Sequence, residues 1–168
     1  MIRNARFEDI PAINNLLRQV LDVHAEKRPD IFKVGTAKYS DEKLQTIIQN
    51  PATPIFVAEN DQGNVVGYAF CQYRNIQGSA MLHDVKYCYI DDICVDKTSR
   101  GQGIGTKLYE HVKQQAQADG YTAIRLNVWC LNDAAIRFYQ KLGMTPLSII
   151  MEQNNFMLQC SKKQPKWK

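Results

Sequence analysis

Apolar residues recur at helical spacing in four stretches of the chain, and the runs between them alternate or stay continuously apolar, as strands do. Ile10, Ile13, Leu16, Leu17, Val20 and Leu21 define one face of a first helix. It starts at Asp9, accommodates Pro11 in its first turn and runs out near Glu26, ahead of Arg28-Pro29. Ser40 caps a second helix that carries Leu44, Ile47 and Ile48 and stops at Asn50-Pro51. Ile104, Leu108 and Val112 mark a third, closed by Asp119-Gly120. A fourth begins at Asn132 or Asp133, carries Ala135, Phe138, Tyr139 and Leu142, and ends at Gly143.

The strand pattern opens with Met1 to Arg6. Ile55 to Glu59 and Val65 to Tyr73 follow as a hairpin turned by Asp61-Gln62-Gly63-Asn64. Arg74 to Lys86 is a longer connection leading to a central strand that ends at Val95. Ala123 to Trp129 reads as a buried strand, and Pro146 to Met151 and Asn155 to Cys160 as two last ones. The order β α α β β β α β α β β predicts a mixed α/β fold. Its central sheet has about six to seven strands, mostly antiparallel and flanked by four helices, with parallel pairing only where a helix crosses over.

The most informative stretch is Tyr87 to Asp119, YCYIDDICVDKTSRGQGIGTKLYEHVKQQAQAD. An apolar strand broken by Asp91 and Asp92 gives way to a loop with Gly101, Gly103 and Gly105, and then to a helix. Such a loop leaves backbone N–H groups unpaired at a helix N-terminus, where the dipole favours an anion, so a phosphate-bearing ligand is expected. It is not a nucleoside-triphosphate loop, because Thr106 precedes Lys107 where that motif needs Lys before the hydroxyl. Nor is it the dinucleotide fingerprint, which needs Gly or Ala at the position of Thr106.

Composition adds bounds. One domain is expected over residues 1–168, with a basic tail from about 162, KKQPKWK after Ser161, that holds four lysines and part of the net charge of +4. No basic stripe interleaved with aromatics points to nucleic acid. No apolar run reaches membrane-spanning length, and the polar start MIRNARFEDI does not read as a signal peptide. Five scattered cysteines, with no CxxC pair, suggest reduced thiols and a cytoplasmic setting. His24, His83 and His111 lack ligand spacing, so no metal is expected.

Arg100-Gly-Gln-Gly103-Ile-Gly105 resembles the pyrophosphate loop of the GCN5-related N-acetyltransferases, Gln/Arg-x-x-Gly-x-Gly/Ala. The segment NDAAIRFYQKLGM is similar to the family's later motif, with Asn132, the pair Phe138-Tyr139, and Gly143-Met144. The resemblance covers nearly the whole element order, and the central motifs are similar to those of polyamine acetyltransferases.

What the resemblance implies is an N-acetyltransferase using acetyl-CoA, with direct transfer to a primary amine. The cofactor's pyrophosphate would lie on backbone N–H groups of Arg100, Gly101, Gln102, Gly103, Ile104, Gly105 and Thr106. Its pantetheine arm would pair along Ile93, Cys94 and Val95, where a bulge would open a slot, and would bond Asn132. Tyr139 would protonate the departing thiolate, since a phenol stays protonated at neutral pH. A carboxylate on the central strand would take the amine's proton; the matching position is Asp91, one methylene shorter than the family's usual Glu, which favours transfer through a water, and Asp92 is the alternative base. In a regular strand Asp92 faces the opposite way. The family's acceptor wall comes from the first two helices and their loop, which makes His24, Phe32 and Tyr39 candidate substrate contacts, joined by Asp92 from the central strand. The carboxylates would make the mouth acidic, suiting a small cationic amine. A protein N-terminus or lysine as acceptor, and a CoA-binding sensor without catalysis, are the alternatives. A covalent acyl-Cys94 route is the minor one, because apolar neighbours give Cys94 a packing role. Homodimers are frequent among relatives.

Overall fold

Val65–Ile76 is the strand on which the first part of the chain is built, because its alternation supplies both faces of the sheet. Tyr68 and Phe70 project to one side, while Gly67, Ala69 and Cys71 fall on the other. A computed structural model describes residues 1–153. These fall into two units, the first ending at Asn127 and the second beginning at Val128.

In the first unit five strands form one sheet in the order β1 (Ile2–Asn4), β2 (Ile55–Glu59), β3 (Val65–Ile76), β4 (Val85–Val95), β5 (Ala123–Leu126). The first three pairings are antiparallel and the last, β4 with β5, is parallel. A helix, α3 (Ile104–Ala118), makes that crossover. Two more, α1 (Ile10–Lys27) and α2 (Asp41–Gln49), precede β2. Ile13, Leu16 and Leu17 of α1 and Leu44 of α2 are buried with Val57, Tyr68, Phe70 and Cys94 in one core. Each of the Ile, Leu, Val and Phe side chains among them stabilises the fold by about 1.5–3 kcal/mol on full burial.

The opposite face of the sheet receives Leu108 and Val112 of α3, both buried. Gly67 permits the close approach there. A Cβ at that position would lie 2.9 Å from the Cys94 carbonyl oxygen and 3.1 Å from Leu108 Cδ1.

The second unit contains α4 (Asp133–Lys141). The Asn132 side chain caps it by accepting from the Ala135 N–H at 3.3 Å.

Four helices and a mixed, mostly antiparallel sheet match the sequence expectation; the strand count does not. The described sheet has five strands rather than six to seven. Pro146 to Met151 carries a strand-like pattern, yet residues 144–153 form no regular element. A strand exists only with a hydrogen-bonding partner, and none pairs with this segment among the described residues. The expected strand Asn155 to Cys160 lies outside the described residues. β5 stops at Leu126 instead of Trp129, because its ladder with β4 ends at Ile90↔Leu126. Strands β3 and β4 are longer than expected and leave only residues 77–84 between them.

Candidate active site

The ladder between β3 and β4 is regular on either side of one residue. Cys71 pairs with Ile90 and Phe70 with Asp92, which leaves Asp91 without a partner between them. One extra residue on one strand is a β-bulge; it bends the strand and re-aims its side chains. The expectation that Asp92 turns away from Asp91 assumed a regular strand, and the bulge overturns it. Both carboxylates reach the same ammonium, Lys38 Nζ, which donates to Asp91 Oδ2 at 3.0 Å and to Asp92 Oδ2 at 3.5 Å.

The two carboxylates have different surroundings. Asp92 is 13% exposed in its side chain and accepts from the buried Tyr68 hydroxyl at 3.1 Å. Burial pushes the Asp92 carboxyl above the usual carboxylate range, against the pull of Lys38 and Tyr68. Asp91 is 28% exposed and accepts from Gln72 Nε2 at 3.4 Å. Burial alone would lower the Lys38 pKa, but Asp92 and then Asp91 outweigh it and leave the ammonium's pKa raised. Burial, reinforced by the Asp92 charge, holds the Tyr68 phenol far above its ordinary range, so it remains a donor.

The wall beside this cluster is aromatic. His24, on the last turn of α1, stacks on Phe32 with centroids 4.9 Å apart. Burial lowers the His24 pKa, with the Asp92 charge pulling the other way and Lys38 adding to the fall. Tyr39 stacks on Phe70 at 5.8 Å and also packs against the core under α1 and α2. The four candidate substrate contacts, His24, Phe32, Tyr39 and Asp92, therefore gather at one side of the sheet with Asp91. Lys38, Tyr68 and Gln72 join them and were not foreseen. Lys38 sits in an aperiodic loop, and Tyr68 reads from its alternation as a core residue.

Below the bulge, β4 changes character. The Asp96 N–H donates to the Val66 carbonyl at 2.8 Å. Alternation then turns the N–H of Cys94 towards β3 and those of Ile93 and Val95 towards the β5 side. Pairing with β5 has already ended at Ile90, so among the described residues no strand meets β4 there. Ile93 and Val95 hence present backbone groups along an open edge. Cys94 does not: its backbone belongs to the β3 ladder and its buried thiol donates to the Leu16 carbonyl at 3.7 Å. Burial pushes that thiol up to about 12, which removes the thiolate needed for a nucleophile.

The edge runs into the glycine loop. Arg100 Nε donates to the Val95 carbonyl at 3.1 Å and anchors the guanidinium at the foot of the strand. Gly101 and Gly103 have φ of 79° and 75°, the left-handed region that L side chains avoid, and no atom within 4 Å would meet a Cβ on either. Gly103 is the N-cap of α3, with no side chain bonding to the first turn, and Lys107 N–H to Gly103 O is the first helical bond. The N–H groups of Ile104, Gly105 and Thr106 consequently have no carbonyl partner inside the helix. Gly105 itself is helical. Gln102 is exposed.

The remaining candidates lie in the second unit. Asn132 carries the capping role already described, and Tyr139 on α4 meets the Phe138 ring edge-on at 5.1 Å. Among the described residues no three of His, Cys, Asp and Glu are grouped to hold a metal ion. No helix there is long and apolar enough to cross a membrane.

The model of the acetyltransferase (GNAT) family matches residues 17–144. A thialysine N-epsilon-acetyltransferase of Mus musculus is 33% identical over 156 residues, spanning 88% of this chain and 85% of that protein. The solved structure of a mutant BH1408 protein from Bacillus halodurans superposes with a TM-score of 0.90 at 29% identity, covering 93% of this chain and 99% of that one. An aminoglycoside N-acetyltransferase solved in complex with CoA shares the fold, with a TM-score of 0.68 at 16% identity over 94% of this chain and 100% of that one.

Proposed function

The chain belongs to the GNAT acetyltransferase family, whose members transfer acetyl groups, and on that premise we propose that it acetylates a small cationic primary amine at the expense of acetyl-CoA. One observation carries the choice of acceptor: a primary ammonium, that of Lys38, is held between Asp91 and Asp92 where β4 bulges. A pair of carboxylates that receives one alkylammonium from the chain has the charge and the geometry to receive another from solution.

The residues present fit acetyl-CoA. The left-handed glycines 101 and 103 leave open space, the first turn of α3 offers unpaired N–H groups, and the edge at Ile93 and Val95 offers the hydrogen bonds of a short extra strand. When bound, acetyl-CoA supplies an acetyl group activated as a thioester. Ile93 and Val95 would align the arm through their backbones, and a strand N–H beside the bulge would polarise the thioester carbonyl. Asp91, the more exposed carboxylate, takes the proton that the acceptor ammonium must lose before it attacks. The family resemblance gives Tyr139 as the residue that would supply a proton to the departing thiol of the cofactor. Tyr68 and Asp92 hold the acceptor end in place. The thialysine acetyltransferases among the relatives act on an amine by their name, which agrees with this reading.

The test is titration calorimetry with acetyl-CoA, followed by thiol release over a panel of diamines, amino acids, aminoglycosides and peptides. Saturable binding with amine-dependent release supports the proposal. Binding without release for any amine favours a sensor, and release with peptides alone favours a protein acceptor.

A further inference from the structure

The ammonium at the bulge belongs to the chain itself. Lys38 lies in residues 28–40, the connection between α1 and α2, and the two residues after it are fixed. Tyr39 stacks on Phe70 and packs against the core, and Ser40 caps α2 by accepting from the Lys43 N–H at 3.3 Å. Lys38 is thereby delivered to the carboxylates as a tethered primary amine. Its contact with Asp91 Oδ2, at 3.0 Å, lies within the reach at which a carboxylate takes a proton directly. The side chain is 39% exposed, so it is not sealed from a reactant.

Resting on the reading of the chain as an acetyl-CoA-dependent acetyltransferase, we propose that Lys38 is a self-acetylation site, its Nζ serving as an intramolecular acceptor at Asp91. The Lys38 ammonium loses a proton to Asp91, and the neutral nitrogen attacks the carbonyl carbon of the acetyl thioester. The C–N bond forms as the C–S bond breaks, and the nitrogen sheds a second proton. One proton ends on the released sulfur and one in solvent, so the products are N-acetyl-Lys38 and the free thiol. The tether replaces the encounter that a dissolved amine would need. Asp91 and Asp92 then face an uncharged amide in place of an ammonium.

The direction of the Lys38 pKa supplies a control. Asp92 and Asp91 raise it against the effect of burial, and uncatalysed acetylation needs the neutral amine, so chemistry without the site should find Lys38 a slow target. Lys33 and Lys43 are exposed and serve as reference lysines. Preferential labelling of Lys38 therefore requires catalysis.

The full chain is incubated with acetyl-CoA carrying a deuterated acetyl group, and each lysine is followed by peptide mass spectrometry. Lys38 should label about tenfold or more faster than Lys33 and Lys43, at a rate per molecule independent of protein concentration. Asp91→Asn should slow Lys38 by about 10²-fold and leave the reference lysines as in the wild type. Lys38 already acetylated in the purified wild type, but not in Asp91→Asn, is the same result. In the wild type, a dissolved amine that is itself acetylated should slow Lys38 labelling, because both need Asp91; this readout holds whether or not the variant folds. The proposal is overturned by Lys38 labelling no faster than the reference lysines, by labelling that survives Asp91→Asn, by a rate that rises with protein concentration, or by no competition from an accepted amine.

Thiol release with dissolved amines separates this inference from the reading beneath it. Turnover of dissolved amines with Lys38 unlabelled keeps the acetyltransfer reading and sinks self-acetylation. Labelled Lys38 with no dissolved amine turned over does the reverse, since the chain is then its own acceptor and the small-amine reading falls. If neither occurs, both fall.

Discussion

Asp91 and Asp92 are consecutive on one strand, yet their carboxylates converge on a single ammonium, because Asp91 occupies the bulge and Asp92 resumes the ladder opposite Phe70. The division of labour follows from what else each touches. Asp91→Asn should lower kcat by about 10²–10³-fold, the range of a lost general base, with little change in the melting temperature. Asp92→Asn should act mainly on the KM for the amine. Steady-state kinetics on the two variants decide it; equal losses of kcat in both would mean that the carboxylates work as one unit.

Asp92 also gives a pH signature in stability. Its folded pKa is raised by burial, so the folded chain binds this proton more tightly than the unfolded chain does. The stabilisation is complete below the unfolded carboxylate range and is lost as pH rises through the folded value. At neutral pH the wild type should therefore melt no higher than Asp92→Asn, and the gap should close in acid. Thermal denaturation across that window checks the sign.

Asp9 behaves in the opposite sense. It is buried, and burial alone would raise its pKa, but hydrogen bonds from Arg3 and the Arg6 N–H hold it below the usual range. Arg3 Nη1 and Nη2 reach Asp9 at 2.7 and 2.9 Å and Nη2 reaches Glu59 at 2.6 Å, joining β1, the start of α1 and the end of β2. That stability is present above the unfolded pKa and fades as pH falls through the folded one. Arg3→Met leaves the buried Asp9 charge with the Arg6 N–H but without its guanidinium, and should cost about 3 kcal/mol in denaturant unfolding at neutral pH.

Cys94→Ala should retain near-normal turnover, and Cys94 should resist alkylation at neutral pH in the folded protein. A buried thiol pushed up to about 12 is a packing residue. Loss of turnover on this substitution, with folding intact, would reopen a covalent route.

Tyr139→Phe should lower kcat by about 10²-fold while leaving the KM for the amine unchanged, as expected when only a proton donor is removed. Stopped-flow measurement of thiol release separates that outcome from a binding defect.

Much of this was legible in the sequence because it is local. Ser40 and Asn132 cap helices by accepting from Lys43 and Ala135, and the left-handed Gly101 and Gly103 mark the loop. What sequence could not supply was register. Asp91 and Asp92 read as opposite faces until the ladder shows which residue is skipped. Lys38 joins them across more than fifty positions, and no periodicity predicts such a contact. Tyr68 illustrates the other failure: its ring obeys the alternation and fills the core, while its hydroxyl reaches Asp92. Pro146 to Met151 had the composition of a strand but no partner in the described sheet.

Among the described residues no strand pairs with β4 on its β5 side beyond Ile90. An exposed row of strand N–H and C=O groups is a template for any extended chain, including a misfolded copy of the same protein, and such edges promote aggregation. Here the Asp91, Asp92 and Lys38 charges stand at one end and the Arg100 guanidinium bonds the last carbonyl at the other. The groups that would admit an amine and hold a cofactor thus also keep the edge from recruiting the wrong neighbour.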